Sequence, residues 1–387
     1  MVVASSADQV LERAVTAGDV AGVVALASDD RDVIYAGAFG KRAADSQADM
    51  TLDTVVWIAS MTKAVTSVAA MQLVERGQLT LDEPLSTRVP ELGAVQVLDG
   101  FDADGAPRLR APRQPITLRH LLTHTAGFTY DIWNADMGRY QQYAGVPGII
   151  ECRKLTLQTP LVFDPGERWE YGISIDWAGQ TVERVSGQSI EAYFKEHIFE
   201  PLAMRDTAFV IGAAQRERLA GMHVRLPDGL LQVVPFEITQ QPEFFMGGGG
   251  LYSTGPDYLR FLRMLLGDGQ LDGARVLQAS TVADISRNQI GDLLVGALKS
   301  SVPGSSNDAE LFPGLPKKWG LAYMINAEDA PVGRTAGSVA WAGLANTYYW
   351  ADPQAGKAGV LMTQLLPFGD SDVLGLLRAL ERDAYGG

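Results

Sequence analysis

One segment limits the possible folds of this chain more than any other: TVVWIASMTKAVTSVAAMQLV, residues 54–74, with Lys63 as its single charge. Its length reaches the roughly 20 residues that a bilayer span needs. However, a lysine, a glutamine and five serines or threonines make it a poor span. The sequence instead predicts a buried helix that begins at about Ser60, is entered from the strand-like TVVWI, and has Gly77 as its C-cap.

The spacing of Ser60 and Lys63 indicates that this buried helix carries a nucleophile and its base. Residues i and i+3 share a helix face, so the amine is expected beside the hydroxyl. An ammonium in apolar surroundings tends to lose its proton, and a neutral amine beside a hydroxyl is a base beside a nucleophile. Backbone N–H groups in the first turn would favour the negative charge that follows attack on a carbonyl. The alternative is a lysine whose stem is buried and whose head reaches water.

Composition excludes several classes of function. The chain has 387 residues, 47% hydrophobic and 20% charged, which predicts one large domain or two interleaved domains. A net charge of -14 without a basic run argues against a nucleic-acid partner. Cys152 is the single cysteine, so an intrachain disulfide and a tetrathiolate zinc site are excluded. The first twenty residues lack the pattern of a signal peptide, which predicts a cytoplasmic protein.

Strand patterns occur at both ends of the chain and helical patterns lie between them. A helix is predicted over 7–18, and an antiparallel hairpin over 20–40 turns at DDR. The later strand-like segments are WGLAYMIN, GSVAWAG, NTYYWAD and AGVLMTQLL, followed by a helix from Ser371. A segment rich in Gly, Ser and Pro over 291–317 predicts a long loop. The fold class is therefore α+β, with an antiparallel sheet from both termini flanked by helices.

The predicted domains follow from this order of elements. Residues 1–77 and 251–387 would form the sheet domain, and 78–250 a mostly helical domain inserted between its halves. The functional site is expected in the cleft where the two meet.

Several motifs together resemble a known family. They are SMTK, GQLTLDEPL, LLTHTAGF, GGGGLYST and a late WAG. This set is similar to that of the serine hydrolases that share the class C β-lactamase and penicillin-binding-protein fold, and most similar to the family VIII carboxylesterases. The resemblance runs from about Gly22 to the end of the chain. It implies a β-lactamase/transpeptidase-like fold and two-step acyl transfer.

The resemblance assigns roles to individual residues. Ser60 would be the nucleophile, Lys63 its base and Tyr171 a proton relay, although the family motif Y-x-N or Y-S-x reads Y-G-I here. The β-lactamase triplet K-T-G falls on WAG, which begins at Trp341. The oxyanion hole would then consist of the N–H groups of Ser60 and Leu344.

The departures from the family motifs bear on the substrate. Trp341 in place of a lysine removes a cation that could pair with a carboxylate, and Ile173 in place of an asparagine removes amide hydrogen-bonding groups. The implied substrate is a neutral, fairly hydrophobic carboxylic ester. Further residues predicted to line its pocket are Gly343, Tyr130, Trp133, Phe244 and Phe245.

Other functions remain open at this stage. The same Ser-Lys-Tyr set could hydrolyse a β-lactam or another amide, or pass an acyl group to an alcohol. The fold could also serve a non-catalytic binding protein. Glu170 and Asp176 flank Tyr171 and could polarise it, whereas Asp176 also suits the first turn of a helix.

Three further motifs lack part of the pattern that a zinc site, a nucleophile elbow or a phosphate-binding loop requires. His120 and His124 have the i, i+4 spacing of a zinc site, but Leu121 stands where a zinc protease has Glu, so a structural role is expected. The sequence has no G-x-S-x-G elbow, and no G-K-[ST] follows MGGGGL. We expect no metal, no organic cofactor and no membrane; the predicted partner is a small-molecule ester. The sequence leaves the oligomeric state open.

Overall fold

A computed structural model of the chain describes residues 6–331 and 333–386. Residues 1–5, which belong to the segment tested as a signal peptide, lie outside this range. The α-helices are Ser6–Ala17 (α1), Thr62–Glu75 (α2), Leu118–Leu122 (α3), Ala135–Ala144 (α4), Ser174–Ser186 (α5), Ile190–Phe194 (α6), Ala213–Arg216 (α7), Gly255–Leu266 (α8), Ala279–Ser286 (α9) and Ser371–Ala384 (α10).

The β-strands are short outside the main sheet. They are Gly22–Ser28 (β1), Val33–Gly40 (β2), Val56–Trp57 (β3), Val97–Phe101 (β4), Pro107–Arg110 (β5), Met222–Arg225 (β6), Leu231–Val234 (β7), Tyr252–Ser253 (β8), Gln270–Leu271 (β9), Ala274–Arg275 (β10), Lys317–Trp319 (β11), Met324–Asn326 (β12), Val339–Gly343 (β13), Thr347–Asp352 (β14), Lys357–Met362 (β15) and Leu365–Leu366 (β16).

A seven-stranded antiparallel sheet organises the molecule, in the order β11-β12-β13-β14-β15-β1-β2. Strand β1 pairs with β2 on one side and with β15 on the other, for example Leu26 with Val360. The predicted antiparallel sheet from both ends of the chain is confirmed, and so is the N-terminal hairpin.

Strand β1 is buried along its whole length because helices cover both faces of the sheet. Side chains alternate between the faces of a strand. Val24 and Leu26 lie directly against Gly255 at the start of α8, while α1 and α10 also contact β1. The sequence GVVALAS is therefore apolar at nearly every position rather than at every second one.

Helix α2 is enclosed on all sides, as its sequence predicted. Twelve of its residues, from Thr62 to Leu73, are buried, and it packs against α5 and α6. Its start differs from the prediction: Ser60 lies in a short 3₁₀ turn, Ala59–Met61, and the α-helix begins at Thr62. Gly77 follows the last turn with φ +67°, a conformation that glycine adopts without strain.

The region between residues 78 and 250 contains strands that the sequence reading did not identify. Strands β4 and β5 form one hairpin and β6 and β7 another, and β16 pairs in parallel with β6. These strands are short and lack strict alternation, so they escaped a period-two pattern. Helix α1 is shifted by one residue from the predicted 7–18. The division into two domains stays a prediction.

The predicted long loop over 291–317 has no helix and meets a strand only at its last residue, Lys317. Part of it packs against the segment after Tyr130: the Ser301 N–H donates to the Ile132 carbonyl at 2.8 Å. Within 6–331 and 333–386, no helix combines the length and the apolar character needed to cross a bilayer.

Candidate active site

The chain reaches Ser60 through a tight turn. Strand β3 pairs with β8 and leads into Ala59, whose φ of +45° lies in the left-handed region that non-glycine residues seldom adopt. This turn ends the strand abruptly and starts the 3₁₀ turn that contains Ser60. As a result the Ser60 side chain stands at the wall of a cavity and is only partly buried, while Ala59 and Met61 on either side are buried.

The Lys63 amine lies at the centre of the polar contacts. Its side chain is 1% exposed, and Nζ lies 3.1 Å from Ser60 Oγ, 3.0 Å from the Tyr130 hydroxyl and 2.5 Å from the Gly248 carbonyl oxygen. A neutral amine has two N–H groups and one lone pair. It can donate to Gly248 and Tyr130 and still accept the Ser60 hydroxyl proton, so the arrangement suits a base.

The surroundings of Lys63 favour this neutral form. Burial lowers the pKa of the Lys63 ammonium to about 7, and the negative charge of Asp176 partly opposes that effect. Asp176 is itself fully buried, and burial raises the pKa of its carboxyl group. Its Oδ1 accepts the Gly248 N–H at 2.8 Å. Gly248 therefore connects the two: its N–H bonds to the carboxylate, and its carbonyl accepts from the amine.

Tyr171 completes the group around the nucleophile. Its hydroxyl accepts the Trp341 Nε1–H at 2.9 Å, and Ser60 lies near enough to act on its pKa. The ring centroid lies 4.6 Å from Lys63 Nζ. Burial raises the pKa of the Tyr171 hydroxyl, and that of Tyr130 even more clearly. Both side chains are therefore phenols at neutral pH, able to donate a proton.

Two glycines allow the backbones around the site to approach closely. A Cβ on Gly343 would overlap the Ile58 carbonyl oxygen, so this glycine lets the end of β13 lie against the turn that carries Ser60. A Cβ on Gly248 would overlap the Asp176 carboxylate. Any larger residue at either position would push the contacting backbone or carboxylate away.

A cavity of about 210 Å³ opens beside Ser60. Its wall is mostly apolar, and it is lined by Trp57, Ala59, Ser60, Tyr130, Asp131, Ile132, Trp133, Gly148, Ile149, Ile150, Met246, Gly248, Gly249, Val302, Ser305 and Leu344. Among the residues predicted from the sequence, Ser60, Leu344, Tyr130 and Trp133 share this lining.

Other predicted residues lie elsewhere around the site. Trp341 is buried behind Tyr171, and Ile173 is buried just before α5. The Phe245 ring packs on Phe209 with centroids 5.3 Å apart, and Phe244 is buried nearby. These side chains do not line the cavity beside Ser60, so a direct contact with substrate stays a prediction for them.

The two histidines of HLLTH have different surroundings. His120 Nδ1 accepts the Thr117 N–H at the start of α3, whereas His124 is buried with its ring 4.9 Å from that of Tyr171. Across the part of the chain that the structure describes, no cluster of three or more His, Cys, Asp or Glu side chains has the arrangement of a metal site. The structural role expected for both histidines agrees with these contacts.

A comparison with protein families decides the classification. A family model described as Beta-lactamase matches residues 7–383, nearly the whole chain. The chain belongs to the Beta-lactamase family. The family and the β-lactamase/transpeptidase-like fold that the motifs indicated are therefore confirmed.

Individual relatives within the Beta-lactamase family are enzymes of acyl transfer. The chain is 31% identical to "Lovastatin esterase" of Penicillium rubens, over 98% of this chain and 97% of the relative. It is 32% identical to "Monacolin J acid methylbutanoyltransferase" of Aspergillus terreus, over 96% and 93%. Unliganded "Simvastatin Synthase (LovD)" from Aspergillus terreus superposes with a TM-score of 0.84, at 30% identity and over 99% of both chains. The chain is thus an enzyme of the hydrolase and acyltransferase type.

Three contributors to the site of this Beta-lactamase-family enzyme were not predicted from the sequence: the Tyr130 hydroxyl, the Gly248 carbonyl and Asp131. Tyr130 was predicted only as a pocket aromatic, yet its hydroxyl contacts the base. The run MGGGGL gave no indication that the Gly248 carbonyl accepts from Lys63. Asp131, which lines the cavity, was not predicted as part of it. The sequence offered one positional signal for each of the two missed residues: Asp131 directly follows Tyr130, and Gly248 lies inside a run of four glycines.

Proposed function

We propose that this protein is a serine carboxylesterase that hydrolyses neutral, fairly hydrophobic esters through an acyl-enzyme on Ser60. The observation that carries the proposal is the pair formed by Ser60 and Lys63: Nζ lies 3.1 Å from Oγ, and burial lowers the pKa of the amine to about 7. A base with a pKa near the working pH accepts a proton most effectively. The mainly apolar cavity beside Ser60 supports an uncharged, hydrophobic substrate.

Acylation would proceed in two steps. The neutral Lys63 amine takes the Ser60 hydroxyl proton as Oγ attacks the ester carbonyl carbon. The resulting oxyanion is stabilised by the N–H groups of Ser60 and Leu344. As the tetrahedral intermediate collapses, the C–O bond to the alcohol breaks, and the leaving oxygen takes the Tyr171 phenol proton. Lys63 returns its proton to Tyr171, so the site is neutral again.

Deacylation repeats these steps with water. Water loses a proton to the Lys63 amine while its oxygen attacks the acyl carbon. When the bond to Ser60 Oγ breaks, the serine oxygen recovers a proton through Tyr171 and the carboxylic acid leaves. The position of Ser60, near enough to Tyr171 to act on its pKa, supports this transfer.

A second candidate is acyl transfer to an alcohol. The 32% identity to "Monacolin J acid methylbutanoyltransferase" favours it, because an acceptor alcohol can take the place of water in the second half of the reaction. An amide or β-lactam hydrolase uses the same proton transfers, but the proposed apolar pocket suits its carboxylate-bearing substrates less well. A non-catalytic binding protein would have no use for a buried base beside Ser60.

The test is hydrolysis of p-nitrophenyl acetate, butyrate and octanoate, beside a chromogenic cephalosporin. Ser60→Ala is expected to abolish ester turnover. Ser67→Ala is the matched control, because Ser67 lies in the same helix region and its hydroxyl has no partner within the described ranges. Added alcohols would reveal acyl transfer as new esters. Ester turnover that survives Ser60→Ala would exclude the mechanism, and faster cephalosporin cleavage would favour the lactamase alternative.

Two further statements stay predictions. The cytoplasmic location rests on the single cysteine and on the N-terminal composition. The expected small-molecule ester partner, without nucleic acid or membrane, rests on charge and on the family resemblance, and the oligomeric state stays open. A serine-directed phosphonate that labels the wild type but not Ser60→Ala would separate an enzyme from a pure binder.

A further inference from the structure

One charged side chain stands in the mostly apolar wall of the cavity beside Ser60. Asp131 lies in the 3₁₀ turn Asp131–Trp133, directly after Tyr130, and it is half-buried. Its neighbours in the cavity lining include Ile132, Trp133 and Ile149. A carboxylate among such side chains influences any ligand that shares the cavity.

The Asp131 charge has no compensating cation. Among the residues that the structure describes, no lysine or arginine acts on this carboxyl group, and burial raises its pKa. The backbone N–H groups of Asp131 and Ile132 partly offset this effect of burial and favour the ionised form. Lys63 already has its contacts with Ser60, Tyr130 and Gly248. Among the described residues that line the cavity, Asp131 is therefore the one with a charged side chain.

The turn that carries Asp131 is held in place. The Ile132 carbonyl accepts the Ser301 N–H at 2.8 Å, and Trp133 Nε1–H donates to Ser306 Oγ at 3.1 Å. Both contacts tie the turn to the long loop that supplies Val302 and Ser305 to the cavity. The carboxylate is thus presented from a fixed backbone, as a specificity-determining group requires.

We propose that Asp131 determines the charge selectivity of the enzyme, so that esters with a cationic group are preferred to neutral isosteres and anionic esters are rejected. This inference rests on the proposed esterase function but changes its substrate class: among hydrophobic esters, those that carry a cationic group are preferred to strictly neutral ones. In a cavity with apolar walls, the interaction between unit charges is several times stronger than in water. The neutral Trp341 at the position of the β-lactamase lysine adds no positive charge to offset it.

The experiment compares kcat/KM within matched substrate pairs. Butyrylcholine and 3,3-dimethylbutyl butyrate differ in charge but not in shape, and mono-4-nitrophenyl glutarate is compared with 4-nitrophenyl pentanoate. In the wild type we expect a roughly tenfold preference for the cation over its isostere, and a similar penalty for the anion. Asp131→Asn should reduce both ratios to near one. Ratios within one variant cancel any general loss of folded or active protein.

Asp136→Asn is the matched control, since Asp136 is an exposed carboxylate in the first turn of α4. It should leave both ratios at their wild-type values. Equal ratios in the wild type and in Asp131→Asn would overturn the inference, even though neutral esters are still hydrolysed through Ser60. Ratios that change to the same extent in Asp136→Asn would also overturn it, because a general surface-charge effect would then explain them. Absence of any Ser60-dependent ester hydrolysis would instead refute the proposed function.

Discussion

Replacing Asp176 by asparagine should move the pH dependence of catalysis to lower pH. Asparagine keeps an oxygen that can accept the Gly248 N–H, but it removes the negative charge that raises the pKa of Lys63. The reaction needs the neutral amine, so kcat/KM should rise with pH through the Lys63 pKa. Without the charge of Asp176, that rise should occur at a lower pH.

The size of the effect follows from the buried position of Lys63. With the ordinary pKa of 10.5, about 0.03% of lysine amines are neutral at pH 7, whereas with a pKa of about 7 about half are neutral. Loss of a nearby opposite charge commonly moves a pKa by roughly one unit or more. At pH 6.5, where most Asp176 carboxyl groups of the wild type are still ionised, the neutral fraction should then increase from about 24% to about 76%, a roughly threefold gain relative to each enzyme's own plateau.

The assay is p-nitrophenyl butyrate hydrolysis from pH 5 to 9, with Asp136→Asn as a charge-removing control at the surface. The wild type should level off above pH 8 without an alkaline decline, because the pKa of the Tyr171 hydroxyl is raised by burial. Thermal unfolding of both variants checks that each is folded over the range. An acidic limb that stays in place in Asp176→Asn, or moves to higher pH, would show that the charge of Asp176 does not act on Lys63.

Two further substitutions test the contacts around the base and the acid. Trp341→Phe removes the hydrogen bond to Tyr171 but keeps an aromatic ring, so steady-state kinetics should show kcat reduced roughly two- to tenfold with little change in KM. Gly248→Ala would press a methyl group onto the Asp176 carboxylate, so we expect at least tenfold lower activity and about 1–3 kcal/mol lower stability in denaturant unfolding. Gly296→Ala has open space around its Cβ and should change neither quantity; equal effects of the two alanines would refute the steric explanation.

The local part of the site could be predicted from the sequence. Ser60 and Lys63 are three residues apart, so helical geometry alone brings them together, and the nearly charge-free residues around them imply burial. The Gly248 carbonyl comes from 185 residues further along the chain, and its contact with Lys63 depends on how α5 and the glycine run pack. Sequence periodicity carries no information about such distances. The role of Tyr130, 67 residues from Lys63, was missed for the same reason.

The fold was predictable where patterns were long and strong. The hairpin of β1 and β2 and the buried α2 each have at least seven consecutive uncharged residues. The hairpin of β4 and β5 does not, since Val97–Phe101 contains a glycine with positive φ and an irregular register. The catalytic role of Tyr171 was predicted from the family resemblance alone, because neither composition nor spacing distinguishes it from other tyrosines.

The central place of β1 in the sheet has a consequence for biosynthesis. One edge of β1 can pair with β2 once both strands have left the ribosome. Its other edge stays unpaired until β15 has been synthesised. About 330 residues separate them, which takes roughly 16 to 66 s at translation rates of about 5 to 20 residues per second. During that time GVVALAS presents an unpaired, apolar strand edge of the kind that recruits other chains. We therefore expect the yield of folded enzyme in cells to depend on chaperones that bind nascent chains. Growth at lower temperature should increase this yield.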